Sequence, residues 1–387
     1  MDSRKFSAAL TARIDGILDA ALTEQRIVGA VLLVAHDGSL VCERAVGQAE
    51  RETQRPMRID TLFRLASITK PYVSVAALAL VARGRLSLQD RIDKWLPEFQ
   101  PRLADGTAAP ITVHQLLTHT SGLGYALQEP VDGPYHRANV SDGLDQPGLA
   151  LAENLRRLAS VPLLRKPGTA WQYSLSIDVL GAVLERAAGT TLQSIVAEFV
   201  TGPLSMRDTA FRVVDPARLA AAYVDGKPPA RMTDPQVVPW ATGAGIVFSP
   251  SRAFDERSYP SGGGGMVGSA PDTLRFIECM RKGGAPILPI ELARAAMSDQ
   301  IGGLAGPLPG FGFGYGGAIL RDPQEAQTPQ SPGTWRWGGV YGHSWFVDRT
   351  AQVSCALLTN TALEGMIGRL TVELRDAVYD TLRGASA

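Results

Sequence analysis

The sequence predicts a chain of the α/β plus all-α class. One antiparallel sheet is built from both chain ends and flanked by terminal helices, and a helical domain is inserted between the two sheet segments. Three observations carry this. Two strand patterns joined by a turn follow the first helix. Further strand patterns crowd the C-terminal region. The stretch between them is dominated by helical spacing. Residues 1–60 and 300–387 are therefore expected to form a discontinuous α/β domain and residues 61–299 a mainly helical one, with the active site at their interface.

The elements follow in order. Residues 3–25 place Leu10, Ile14, Ile17, Leu18, Ala21 and Leu22 at helical spacing. Residues 29–35 and 40–46 read as strands around His36-Asp37-Gly38, a hairpin signal. Helices are predicted near 112–118, 151–160, 176–188, 191–200, 271–282 and 289–298. The loops 121–148 and 223–265 are long enough to be functional or mobile. Strands at 315–320, 334–337, 342–348 and 352–359, with a turn at Arg349-Thr350-Ala351, lead to a closing helix at 365–383.

Composition excludes several classes. The 387 residues are 45% hydrophobic with mean hydropathy near zero, which fits a soluble chain with a large core. Lys+Arg 38 balances Asp+Glu 38, so electrostatics gives no case for nucleic acid or an acidic membrane as partner. No stretch has the length and apolarity of a membrane span. The N-terminus opens into an amphipathic helix and not an apolar signal core, which predicts a cytoplasmic protein. Cys42, Cys279 and Cys355 are odd in number and widely spaced, as expected of buried reduced thiols. The oligomeric state is not legible.

The strongest chemical signal is Ser67-Ile68-Thr69-Lys70, the one place where a Lys stands three residues after a Ser. Residues three apart share a helix face, so the hydroxyl and the amine can touch. A neutral Lys, favoured by burial or a neighbouring cation, can then take the hydroxyl proton. Such a pattern is a signature of acyl-transferring serine enzymes. The segment that follows, Val73 to Ala82, is apolar on nearly every face, as in a buried helix. Pro71 suits its first turn and Gly84 its end. Ser67 is thus placed at the start of a central helix, where its backbone N–H can face a developing oxyanion.

Two further segments bear on such a site. Trp171-Gln172-Tyr173-Ser174 precedes the helix predicted at 176–188. Tyr173 either relays the proton of the Ser67–Lys70 pair or packs as an aromatic at a helix start. Trp337-Gly338-Gly339-Val340 lies on a late strand. The glycines either let a ligand approach, with the Val340 N–H as second oxyanion donor, or mark a strand bulge. His343 follows this strand and would serve a Ser-His-Asp triad. No Gly-x-Ser-x-Gly elbow exists, and Lys70 already supplies a base, so His343 is assigned a supporting role behind the site. His114 and His119 are five apart, not at helical metal-ligand spacing, and no metal or cofactor is called for. Gly262 to Gly265 lacks the Lys-Ser/Thr of a phosphate loop and is read as backbone turning near the site. Tyr125 lines an acyl or alcohol pocket or is an exposed loop aromatic.

Together these stretches, with Leu116-Leu117-Thr118-His119-Thr120-Ser121-Gly122-Leu123 and the run from Trp337 to Val347, resemble the class C β-lactamase and penicillin-binding protein superfamily over nearly the whole chain. The likeness is greatest to family VIII carboxylesterases. The resemblance implies a β-lactamase-like serine hydrolase fold. It implies Ser67 as nucleophile, Lys70 as base, Tyr173 as partner in proton transfer, and the N–H groups of Ser67 and Val340 as oxyanion hole. Two departures matter. Lactamases carry Tyr-x-Asn where Leu175 stands here, and Lys-Thr-Gly where Trp337-Gly338-Gly339 stands. A cation that would hold a substrate carboxylate is thereby lost. The expected activity is hydrolysis of short-chain neutral esters, small-molecule substrates, with Tyr125, Leu175, Trp337, Gly338 and Gly339 around the pocket. The alternatives are a β-lactamase, D-aminopeptidase or acyltransferase of the same superfamily, or a penicillin-binding receptor that acylates without turnover.

Overall fold

Strand β1 (Gly29–His36) is buried along almost its whole length, and a strand apolar on both faces belongs in the middle of a covered sheet. In the computed structural model, which describes residues 3–240 and 243–386, β1 has neighbours on both edges. It pairs with β2 (Ser39–Glu50) through a turn in which Asp37 and Gly38 both have positive φ, the geometry a two-residue hairpin requires. Beyond β2 lies the short β3 (Arg55–Pro56). The other edge of β1 pairs antiparallel with a strand from the far end of the chain. The C-terminal strands are β4 (Phe311–Phe313), β5 (Ala318–Leu320), β6 (Trp335–Gly339), β7 (His343–Asp348) and β8 (Val353–Thr359). The sheet runs β4-β5-β6-β7-β8-β1-β2-β3, one antiparallel sheet from both chain ends.

Strand periodicity divides the core in two. Leu32 and Val34 face a cluster with Phe6, Leu10 and Ile14 of α1 (Ser3–Thr23). Leu370, Leu374 and Tyr379 of the C-terminal helix close the same layer. Val31, Leu33 and Ala35 face the main core instead. There they meet helix α2 (Thr69–Ala82), buried from Thr69 to Leu80, with α3 (Ser176–Ala188) and α4 (Ala270–Arg281) around it. Among the described residues, no helix is long and apolar enough to cross a membrane. The three cysteines are buried and free.

Several boundaries differ from the sequence reading. The closing helix is two, α5 (Glu364–Ile367) and α6 (Arg369–Ser386), because Gly368 takes an extended ψ of 174° between them. The strand expected at 315–320 shrinks to β5, and β4 before it carries too few residues to show a pattern. The helix expected at 191–200 is α-helical only over Leu192–Val196 and continues as a wider π turn. The loop 223–265 holds short strands at Tyr223–Val224, Ala230–Arg231, Gln236–Val238 and Ile246–Phe248; its residues 241 and 242, like residues 1, 2 and 387, lie outside the described residues.

Candidate active site

The chain enters α2 through a tight 3-10 turn, Ala66–Ile68. Ala66 holds a φ of 46°, a left-handed conformation that costs a non-glycine residue about 1–3 kcal/mol and persists only where the surroundings enforce it. The enforcement is visible. Leu65 N–H donates to the Met266 carbonyl at 2.8 Å, and His343 Nε2–H donates to the Arg64 carbonyl at 2.8 Å. The turn sets Ser67 at the mouth of the buried helix and Lys70 in its first turn. Ser67 is 9% exposed and Lys70 1%.

The side chains of Ser67, Lys70 and Tyr173 meet. Lys70 Nζ lies 3.1 Å from Ser67 Oγ, and Tyr173 OH lies 2.6 Å from the same oxygen. Nζ also donates to the Gly263 carbonyl at 2.6 Å. The faces of Tyr173 and Tyr125 flank the amine, with ring centroids 4.7 and 5.4 Å away. Behind Gly263 stands Asp178 on the first turn of α3, fully buried and accepting from Ser261 Oγ at 2.6 Å. A Cβ on Gly263 would come within 2.3 Å of Asp178 Oδ2, so only glycine fits between that carboxylate and the lysine. Burial raises the Asp178 pKa, while the Ser261 hydroxyl and the Lys70 charge act in the opposite sense. Burial likewise pushes the Tyr125 hydroxyl well above its usual range, helped by Tyr173.

The other wall of Ser67 is apolar. A cavity of about 280 Å³ opens onto it, lined by Tyr173, Trp337, Gly338 and Val340, with Trp171, Trp240, Leu308 and Met366 around them. The Tyr173 ring stacks near parallel to Trp171 and lies 5.3 Å from Trp337, centroid to centroid. Its hydroxyl belongs to the polar cluster and its ring to the cavity.

Three residues expected around the pocket stand back from the cavity lining. Leu175 is fully buried: it begins the turn into α3, its N–H bonded to the Gly124 carbonyl, and its side chain packs in the main core. Tyr125 is neither an exposed loop aromatic nor a lining residue. It is buried against Tyr173 and the lysine amine. Gly339 backs onto the Leu65 carbonyl. His343 is far from being a base at the hydroxyl: it is buried, bonded to the Arg64 carbonyl and edge-on to Phe63, and burial lowers its pKa to about 4. His119, weighed only as a metal ligand, packs its ring 5.0 Å from Tyr173. Burial, and then the Lys70 charge, push its pKa well below 6.5. Among the described residues, no group of three or more His, Cys, Asp or Glu is arranged to hold a metal.

The Gly263 carbonyl, Asp178 and, of the cavity aromatics, Trp240 and Phe311 were not singled out from sequence. The Gly262–Gly265 run and an Asp within the apolar first half of a helix were the available signals. Comparison with known proteins agrees with this architecture. The β-lactamase family model matches residues 14–378. The chain is 55% identical to Esterase EstB of Burkholderia gladioli over 386 residues, 98% of each chain. It superposes on EstCE1, described as a hydrolase with promiscuous acyltransferase activity, with a TM-score of 0.94 and 46% identity, covering 96% of this chain and 99% of that one. The D-amino acid amidase of Ochrobactrum anthropi shares the fold at a TM-score of 0.69 and 20% identity, over 98% of this chain and 99% of its own. The chain belongs to the β-lactamase family.

Proposed function

From that membership, we propose that the chain is a serine carboxylesterase acting through a covalent acyl-enzyme. One observation carries the reading: Ser67 Oγ is the meeting point of Lys70 Nζ and Tyr173 OH at the wall of an apolar cavity. The likeness to Esterase EstB supports it. Ser67 attacks the ester carbonyl, and its proton passes to Lys70 with the help of Tyr173. Charge developing on the carbonyl oxygen is met by the backbone N–H groups of Ser67 and Val340. Tyr173 returns a proton to the departing alcohol, and water cleaves the acyl-enzyme with the same groups acting in reverse. Neither metal nor cofactor enters this reading. It treats residues 1–60 with 300–387 as the sheet unit and 61–299 as the helical unit, with the reaction at their junction.

The substrates are short-chain esters, uncharged next to the scissile bond. Trp337 stands where the lactamases keep a lysine, and its indole fills the wall beside Tyr173. A β-lactam carboxylate brought there loses a charge-assisted contact of about 1.5–3 kcal/mol, one to two orders of magnitude in affinity. The test is kcat/KM for p-nitrophenyl butyrate and nitrocefin side by side. The butyrate is expected to be the better substrate by at least that margin, and a higher value for nitrocefin would overturn the esterase reading. A second reading is acyl transfer to an alcohol in place of water. The aromatic cavity beside Ser67 favours it, because it holds an apolar alcohol better than water. Transesterification product in the presence of an added alcohol reports it directly.

A further inference from the structure

The cavity beside Ser67 carries one charged side chain among its described lining residues, Arg336. Strand β6 explains where it points. Trp335 and Trp337 pair with Val347 and Trp345 and face the main core. Arg336, between them, pairs with Phe346 and faces the opposite side of the sheet, toward α6. Gly338, two residues on, shares that side, and a Cβ there would come within 2.6 Å of Met366 Cγ. The missing side chain keeps a passage open past the end of β6. The cavity thus reaches from Ser67 on one face of the strand to Arg336 on the other, with Met366 and Ile367 as its outer lip.

Among the described residues, the guanidinium at the end of this passage has no counter-ion. Among the described residues, no carboxylate lies within salt-bridge distance of Arg336, and its side chain makes no hydrogen bond to protein. It lies over the face of Phe311, 5.5 Å to the ring centroid, as a cation–π contact. It also borders a second cavity of about 70 Å³ that Arg375 lines with it. Burial, and then the Arg375 charge, lower its pKa to about 10, so it stays cationic at neutral pH. A cation part-buried beside another cation with no carboxylate of the described chain in reach is costly, and here that side chain lines the substrate cavity.

We propose that Arg336 selects esters carrying a carboxylate remote from the scissile bond, half-esters of dicarboxylic acids or their equivalent in the alcohol part. This rests on the esterase reading and refines it. Next to the reacting carbonyl Trp337 excludes charge, while across the strand Arg336 receives it. The separation comes from strand alternation, since neighbouring residues point to opposite faces. A bidentate guanidinium–carboxylate pair in a part-desolvated pocket accounts for a preference of about tenfold to a hundredfold.

The experiment compares matched pairs. On the acyl side, mono-p-nitrophenyl esters of glutaric, adipic and suberic acid are set against their methyl-capped diesters. On the alcohol side, 4-carboxyphenyl butyrate is set against its methyl ester. The wild type is expected to favour the carboxylate member by about tenfold or more in one series, and to lose the preference as salt is raised. The Arg336→Gln variant is expected to abolish the ratio and Arg336→Lys to keep part of it. No preference in either series of the wild type overturns the proposal without any variant having to fold. A preference unchanged in Arg336→Gln overturns it as well. Turnover of p-nitrophenyl butyrate in the same assay reports the esterase reading separately, so the two can fail independently.

Discussion

The two sides of Ser67 Oγ are built on opposite plans. Toward α2 and α3 the oxygen meets hydrogen bonds of 2.6 to 3.1 Å that run through Lys70 and Tyr173, with the Gly263 carbonyl and the Ser261–Asp178 pair behind them. Toward β6 it meets the indoles of Trp171 and Trp337 and an aliphatic lip. The polar side fixes geometry, because buried polar groups are costly unless paired and admit few arrangements. The apolar side fixes shape and leaves room for different occupants. Chemistry should therefore fail sharply when the first side is touched, and selectivity should drift when the second is.

The largest effect is expected at the hydroxyl itself. Ser67→Ala should lower ester hydrolysis on the order of 10⁴-fold or more while far-UV circular dichroism and thermal midpoint stay near wild type, since the change removes one atom from a 9% exposed site. A phosphonate should label the wild type and not the variant. Lys70→Arg should be nearly as inactive, because a guanidinium cannot give up its proton. Wild-type turnover in either variant would dissolve the distinction between the two sides.

That contrast also governs what was legible in the sequence. Ser67 in the 3-10 turn and Lys70 at the start of α2 are only three residues apart, so their contact follows from local geometry. Tyr173 was found by its place before a helix. The rest depends on contacts between distant segments with no periodic signature. Gly263 accepts from a lysine 193 residues earlier, and Asp178 is tied to a serine 83 residues later. Leu175 was placed in the pocket because the family keeps an amide there, yet the turn into α3 sends its side chain into the core. The sheet was readable because short apolar runs bounded by turn signals, and the hairpin turn itself, are local. The break at Gly368 was not, since a glycine inside an amphipathic run only weakly signals an end.

Tyr173 belongs to both sides and can divide them. Tyr173→Phe keeps the ring that packs on Trp171, Trp337 and His119 and removes only the hydroxyl bonded to Ser67. The expected outcome is a loss of about 10²-fold in kcat with KM little changed. A rise in KM at constant kcat would move Tyr173 wholly to the apolar side.

His343 supports the polar side from behind, through the Arg64 carbonyl. Burial holds its pKa at about 4, against 6.5 for an unperturbed histidine. Between those values the unfolded chain binds the proton and the folded chain does not. The stability His343 contributes is therefore complete above about pH 6.5 and is lost as pH falls toward 4, by about 3 kcal/mol in all. The stability difference between wild type and His343→Gln, from urea denaturation at pH 7.5 and 4.5, should shift by roughly that amount in favour of the variant at the lower pH. Other titrating groups cancel in the difference. An identical difference at both pH values would mean that the imidazole is not held neutral.

The smallest effect is expected at Trp337, and it sharpens the comparison most. Its indole touches the rings of Tyr173 and Phe313, at centroid distances of 5.3 and 5.2 Å, but makes no hydrogen bond to Ser67 or Lys70. Each aromatic pair is worth about 0.5–1.5 kcal/mol beyond its buried area, and the wall it forms contacts substrate equally before and during reaction. Loss of such uniform binding raises KM and leaves kcat near its original value. Trp337→Ala should therefore raise KM for p-nitrophenyl butyrate about threefold to tenfold, with a smaller penalty for a bulkier acyl chain that fills the vacated space. Michaelis constants across an acyl-length series measure this. A fall in kcat for the short ester at constant KM would show that the indole holds Tyr173 for proton transfer, and the apolar wall would then be part of the chemistry it borders.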